Sequence, residues 1–554
     1  MTAPPKHLYL VLPKGAAAPS VTAAAVGSKA YGLMQLVRLG LPVPPAFVLG
    51  TAVCRNYLEH GRVPHATREM LAFGLEQLEE ATGRKYGGAR RPLLLAVRSG
   101  APISMPGMME TILNIGLAEQ TLPGFLRATG NPRLVRDCYR RLVRDLSEVA
   151  HGAAPETFDA LVERYCAEER VANVRALDSV TLAKIAEESL ELALARSGEP
   201  FPQEPMDQLL QAVEAVWRSW NSDKARHYRR LNHIDDAMGT AVTVQAMVFG
   251  NSGASSGAGV GFTRDPATGE NRLYFDFLFN AQGEDVVAGG QHGEDVAQLS
   301  RRLPRVAAEL ERLKSVLEDE LRDMQDFEFT VENGRLYLLQ TRAGKRTPWA
   351  ALRIAADLVR EGRITPAEAL SHLDGLDVSR IERTELAERN GIVPLACAVS
   401  ASIGVAAGRI VFDAHRAAAL ATEGAAVILA RPDIHTEDIE GIAAAAGVLT
   451  SAGGRTSHAA VVARQLGKVC LVDCRALRIA PDGRAGWIGD TRVTEGDEIT
   501  LDAEHGSIYA GRLPTVRRVP ERELAELAGW RAAAAASQVT GSSPSSASSL
   551  RSPP

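Results

Sequence analysis

The sequence predicts a multi-domain α/β chain of mixed α+β character, and three observations carry that expectation. Its 554 residues exceed what one hydrophobic core holds, so about three or four domains are expected. The stretch VLTSAGGRTSHAAVVARQLGKVCLVDC, from Val448 to Cys474, reads as strand, glycine turn, helix and strand. Short apolar runs at His7 to Leu12, Leu93 to Val97 and Thr240 to Gly250 read as strands, whereas residues from about 142 to 235 carry helical spacing.

Composition narrows the function classes. Hydrophobic residues make up 45% of the chain and the net charge is -5, so nucleic acid and anionic membrane surfaces are not expected partners. No apolar run approaches the roughly 20 residues of a membrane span. The start, MTAPPKHLYLVLP, lacks the charged-then-apolar pattern of a signal peptide. Six scattered cysteines have no CxxC spacing, which fits reduced thiols in a cytoplasmic protein.

Taken in order, the N-terminal strand leads to an amphipathic helix opened by Gly27-Ser28-Lys29. Lys29 there suits an anionic ligand or is a plain exposed charge, and no GxxxxGK[ST] loop occurs. The second strand ends in Arg98-Ser99-Gly100, and a strand-end arginine can bind phosphate bidentately. After the Thr240 strand, Gly253, Gly257, Gly259 and Gly261 make a loop whose backbone can approach phosphates, with a flexible hairpin as the bland alternative. In MQDFEFTVENGRLYLLQTR, Asp326 and Glu328 share one strand face, Asn333-Gly334 turns the chain, and Gln340 and Arg342 return alongside. Two carboxylates and an amide oxygen form a hard-oxygen set suited to Mg²⁺, although paired acids on a hairpin are common.

His458 is placed in the first turn of a helix, after Thr456 and Ser457, either of which can cap it. Free helix N–H groups stabilise a phosphoryl dianion there, and a neutral imidazole is a good nucleophile near pH 7. A lone histidine in a capping region more often has no chemistry.

The words GGRTSHAAVVARQLGK closely resemble the phosphohistidine loop of the pyruvate, phosphate dikinase family, usually GGMTSHAAVVAR, with Arg455 in place of Met. GSKAYGLMQLVRLGLPVPPAFVLG, AVRSGAPISMPGMMETILNIGL, NAQGEDVVAG and the hairpin are similar to that family's nucleotide-binding domain. The resemblance implies an ATP-grasp domain over residues 1–347 with a helical insertion at about 142–235. A helical linker over 348–390, a swivelling β/β/α phosphohistidine domain over 391–512, and a helical then disordered tail over 513–554 follow.

It further implies that His458 accepts a phosphoryl group, and that Lys29, Arg98 and Arg342 contact ATP phosphates. Gly257, Gly259 and Glu284 are implied nucleotide contacts, with Glu328 and Gln340 as Mg²⁺ ligands and Asp326 in support. Arg140 or Arg141 approaches the nucleotide, the choice being open, and Phe275-Asp276 replaces the usual Gly-Glu. Arg455 either holds the phosphate or alters what docks against the histidine. In some members the residue matching Thr456 is the target of a regulatory kinase–phosphorylase. A phosphoenolpyruvate and pyruvate barrel needs about 250 residues, more than follow Arg512, so it is expected to be missing. The expected activity is ATP-dependent phosphotransfer with inorganic phosphate as co-substrate, releasing AMP, toward an acceptor on another domain or chain. The alternative is an ATP-binding regulatory or scaffold protein without complete turnover.

Overall fold

The computed structural model describes residues 4–13, 21–103, 105, 109–287, 296–388, 391–434, 438–455 and 457–541. The chain forms two compact units. One comprises Met1–Ala258, Phe279–Gln282 and Phe327–Arg342, the other Gly259–Leu278, Gly283–Asp326 and Ala343–Pro554.

In the first unit a five-stranded sheet is ordered β1-β2-β5-β3-β4, with β1 Leu8–Val11, β2 Ala46–Leu49, β3 Leu95–Gly100, β4 Thr111–Ile115 and β5 Ala241–Ala246. Every neighbouring pair is antiparallel. β2 and β5 are buried at every position; β2, AFVL, is accordingly a continuous apolar run, whereas β5, AVTVQA, buries Thr243 and Gln245 between its apolar residues. Helix α1 spans Ala23–Arg38, but Gly27 has φ 79 and ψ 157, so the regular helix begins after it. A Cβ at Gly27 would lie 1.9 Å from the Gly100 carbonyl oxygen, and the Ser28 N–H donates to Ala101 O at 2.9 Å. The helix start is thereby fixed to the end of β3.

Helix α2 spans Pro132–His151; Asn131 caps it by accepting from the Leu134 N–H at 3.0 Å, and Gly152 ends it in the left-handed conformation. Leu134, Cys138, Leu142 and Leu146 recur at four-residue spacing and are buried in the same core as Leu209, Val213 and Trp217 of helix α3, Pro205–Ser219. Each fully buried leucine contributes about 1.5–3 kcal/mol.

Strand β6, Gly257–Phe262, neighbours β7, Tyr274–Phe279; strand β8, Gln325–Glu332, neighbours β9, Arg335–Ala343. Asn333 (φ 50) and Gly334 (φ 75) join β8 to β9, the two-residue pattern of a type I′ hairpin. The glycine-rich segment differs from its expected loop form: Gly257, Gly259 and Gly261 all lie inside β6. Glycine in a strand marks close approach, and the connection itself is confined to the residues before Gly257.

The second unit contains an eight-stranded sheet whose centre is four parallel strands: β10 Val405–Val411, β11 Val427–Arg431, β12 Gly447–Thr450 and β13 Val469–Val472. Alternate residues feed two cores. Val411, Leu429, Val448 and Cys470 meet helices α5 Ala414–Thr422, α6 Ile439–Ala444 and α7 His458–Gln465. Ile410, Ile428, Leu449 and Leu471 meet Leu477, Ile488 and Val493 of a three-stranded sheet on the opposite face. The result is a β/β/α layering.

Residues 348–390 include helix α4, Pro348–Arg360, a short helix Pro366–His372 and also a strand, Arg383–Leu386, paired with Thr515–Arg518. Leu524, Leu527 and Trp530 of helix Glu521–Gly541 pack with Leu352 and Leu358, and Arg360 meets Glu526 at 2.8 Å. The chain after Arg512 therefore returns to the segment that precedes the eight-stranded sheet.

Candidate active site

In the first unit, α1, β3 and the β8–β9 hairpin bring together Lys29, Arg98, Glu328 and Arg342, all singled out in the sequence. Arg98 Nη2 donates to Glu328 Oε2 at 3.1 Å, and its Nη1 donates to the Leu339 carbonyl at 3.1 Å. Gly32 lies one helical turn beyond Lys29, on the same side of α1, and a Cβ there would be 2.8 Å from Thr341 O. The helix face carrying Lys29 thus lies against β9, where Gln340 and Arg342 flank Thr341. Arg98 stands within β3 and not at its end.

Lys29 registers this company electrostatically. Burial pushes its ammonium pKa down to about 8, with the charges of Arg98 and Arg342 adding to the effect and Glu328 opposing it. Three cations thus act around the carboxylate of Glu328, an arrangement that favours an incoming polyanion. Gln340 is 5% exposed, and among the described residues its Oε1 has no hydrogen-bond partner. An orphaned buried carbonyl oxygen costs about 1–3 kcal/mol, so a cation at this position would relieve a penalty already present. Among the described residues no three His, Cys, Asp or Glu side chains gather as a metal site. Glu328 and Gln340 present a carboxylate and an amide oxygen, hard donors of the kind that Mg²⁺ takes.

A buried network missed by the sequence reading lies on α2. Asp137 accepts from Arg140 at 2.8 Å and Arg141 at 3.1 Å, the i+3 and i+4 positions of one helix face. Burial pushes the Asp137 carboxyl up, but the charges of Arg141 and Arg140 override it and hold the group well below the usual carboxylate range. Asn251 approaches Asp137 at 3.5 Å and Gln282 at 3.3 Å, and the Gly253 N–H donates to Asn280 Oδ1 at 3.1 Å. Both arginines left open as nucleotide contacts are thus engaged with Asp137. The helical spacing D-x-x-R-R was the available signal.

In the second unit, β12 ends in the loop that leads to α7. Ser457 caps α7, its hydroxyl accepting from the Ala460 N–H, and His458 is the first helical residue. Thr456 lies outside the described residues. Asp326 is buried on β8, and Glu284 is exposed near the start of helix Gly283–Val287. Both belong to the second unit.

The family model "Pyruvate phosphate dikinase, AMP/ATP-binding domain" matches residues 69–307, and "PEP-utilising enzyme, mobile domain" matches residues 423–506. The chain is 43% identical over 495 residues to the pyruvate, phosphate dikinase of Clostridium symbiosum, covering 88% of this chain and 56% of that one. Its relatives are pyruvate, phosphate dikinases. That of Rhizobium meliloti (strain 1021) is 40% identical across 91% of this chain and 58% of its own, and pyruvate, phosphate dikinase 1, chloroplastic, of Arabidopsis thaliana is 39% identical across 91% and 53%. The chain spans a little over half the length of these dikinases. The mobile-domain match takes in α7 and His458, and the AMP/ATP-binding match takes in Arg98 and Glu284. Lys29, Glu328, Gln340 and Arg342 fall outside both matched ranges.

Proposed function

We propose that this chain carries out the ATP-dependent half of a dikinase-type phosphotransfer: ATP and inorganic phosphate are the substrates, AMP is released, and His458 carries the phosphoryl group. The observation that carries this reading is the cluster of Lys29, Arg98 and Arg342 around Glu328, beside the orphaned oxygen of Gln340. The nucleotide domain is read as an ATP-grasp fold, with the N–H groups at Gly257 and Gly259 on the phosphates and Glu284 as a further nucleotide contact. Mg²⁺ held by Glu328 and Gln340, with Asp326 in support, would offset phosphate charge when bound. Arg98 exchanges its hold on Glu328 for phosphate oxygens, and Lys29 keeps its proton more firmly once a phosphate replaces a repelling neighbour.

At His458 the neutral imidazole attacks the β-phosphorus of ATP, the α–β P–O bond breaks and AMP leaves. Inorganic phosphate then takes the terminal phosphoryl group as pyrophosphate, and the free N–H groups of the first turn of α7 stabilise the phosphoryl dianion left on the imidazole. The phosphoryl group next passes to an acceptor, pyruvate in the reading closest to the relatives' names, bound on another domain or chain. The chain is read as cytoplasmic; among the described residues no helix is long and apolar enough to cross a membrane. Thr456 is the expected target of a regulatory kinase–phosphorylase.

The deciding experiment supplies ATP labelled at the β-phosphate, with Mg²⁺ and phosphate, and follows AMP release and acid-labile protein label. Both should be present in the native chain and absent from His458→Ala. Tight ATP binding with neither label nor AMP would overturn the enzyme reading.

A further inference from the structure

Two arginines of the His458 segment lie on two aromatic rings of neighbouring strands within the second unit. The guanidinium of Arg455 stands 5.3 Å from the Tyr274 ring centroid on β7, and that of Arg464 stands 5.6 Å from the Phe262 ring on β6. Those rings face each other edge-on at 6.2 Å. Arg464 is fully buried and donates through Nη1 to the carbonyls of Arg455 at 2.8 Å and Ala401 at 2.9 Å, so it holds the backbone at Arg455 in place. Tyr274 is 5% exposed, and its hydroxyl donates to Ser400 O at 3.4 Å. Next in the chain, a Cβ at Gly454 would stand 3.0 Å from Asp276 Oδ2, so the backbone runs directly over that carboxylate.

We infer that Arg455 is a positioning residue that seats the chain leading into His458 on β7, with its guanidinium over the Tyr274 ring. Its bearing on chemistry rests on the reading of His458 as phosphoryl carrier; the seat itself does not. Arg455 and Asp276 are two places where the sequence departs from the family wording, and the fold brings their segments together. A planar cation over a buried ring gains electrostatic attraction and apolar contact at once. The guanidinium engaged with Tyr274 acts on where the histidine segment docks, which separates this role from that of a phosphate clamp.

The test is hydrogen exchange on the full chain, comparing native protein with Arg455→Gln and Arg455→Lys. Loss of the cation should speed exchange about three- to thirtyfold in Ala452–Arg455 and in β7, with β11 and α5 unchanged. Lysine keeps a cation over the ring and should restore protection to within about threefold of native. Combining Arg455→Gln with Tyr274→Leu should add little to either alone; should the leucine variant fail to fold, the glutamine–lysine comparison decides. Unchanged exchange in Arg455→Gln, acceleration spread through the whole mobile domain, or a lysine variant as open as glutamine would each overturn the inference. Labelling of native protein from β-labelled ATP, run in parallel, reports separately on His458.

Discussion

Arg98 and Glu328 meet at 3.1 Å, and the same guanidinium donates to the Leu339 carbonyl, so one side chain ties β3 to both strands of the β8–β9 hairpin. Glu328 is 32% exposed at its side chain and Arg98 14%, which leaves the carboxylate open to a new partner while the arginine stays shielded. An ion pair of this exposure contributes about 1 kcal/mol or less to stability. Its disruption on ligand binding is therefore cheap.

Glu328→Gln keeps the shape and removes the charge. Its melting temperature should change little, by the equivalent of about 1 kcal/mol or less. Labelling of His458 from ATP should fall at least about a hundredfold, in line with loss of a transition-state electrostatic contact. Full labelling in this variant would remove Glu328 from the mechanism.

Lys29 provides a pH signature. Its folded pKa of about 8 lies below the ordinary lysine value of 10.5, so the unfolded chain binds more protons between these values and stability rises with pH across that window. Below pH 8 both states are protonated and the penalty is present in full, about 3 kcal/mol. In Lys29→Met the rise between pH 8 and 10.5 should be absent. Denaturant titrations at pH 7.5 and 10 compare the two proteins, and equal gains in both would refute the assignment. Binding of an ATP analogue to the native chain should also weaken above pH 8, as the ammonium is lost.

Gln340 holds an unsatisfied buried oxygen, so removing it should not hurt the unliganded fold. Gln340→Met is expected to leave stability unchanged or raise it by up to about 1–3 kcal/mol, while weakening Mg²⁺-dependent ATP binding. A marked loss of stability without ligand would show that the oxygen has a structural role after all.

In the second unit, Arg264 is fully buried and donates to Glu318 at 3.0 and 2.8 Å and to Glu361 at 2.7 Å. Glu318 is also fully buried. Arg264→Met leaves that carboxylate without its cation and should cost about 3–5 kcal/mol, read by denaturant midpoint. The double variant Arg264→Met, Glu318→Leu should recover most of that loss. Failure to recover would mean that the arginine's packing, and not the orphaned charge, dominates.

By itself the sequence determined what is local. The cap-and-helix start at Ser457-His458, the Asn333-Gly334 turn, the apolar strands on either side of the α7 helix and the mixed α/β class all follow from spacing within a few residues. Tertiary structure decided what depends on distant partners. Lys29 looked like an exposed charge or a ligand contact, and only its burial beside Arg98 and Arg342 sets its pKa. Gly257 and Gly259 looked like a loop because glycine carries no strand signal, yet neighbouring chain makes them β6. Arg140 and Arg141 found Asp137 on their own helix face, while Arg455 found Tyr274 more than a hundred residues away in the chain. Helices and turns are set by contacts within a few residues, which a linear reading sees. Charge burial, unsatisfied oxygens and cation–ring contacts arise between distant segments, so they exist only once the chain has folded.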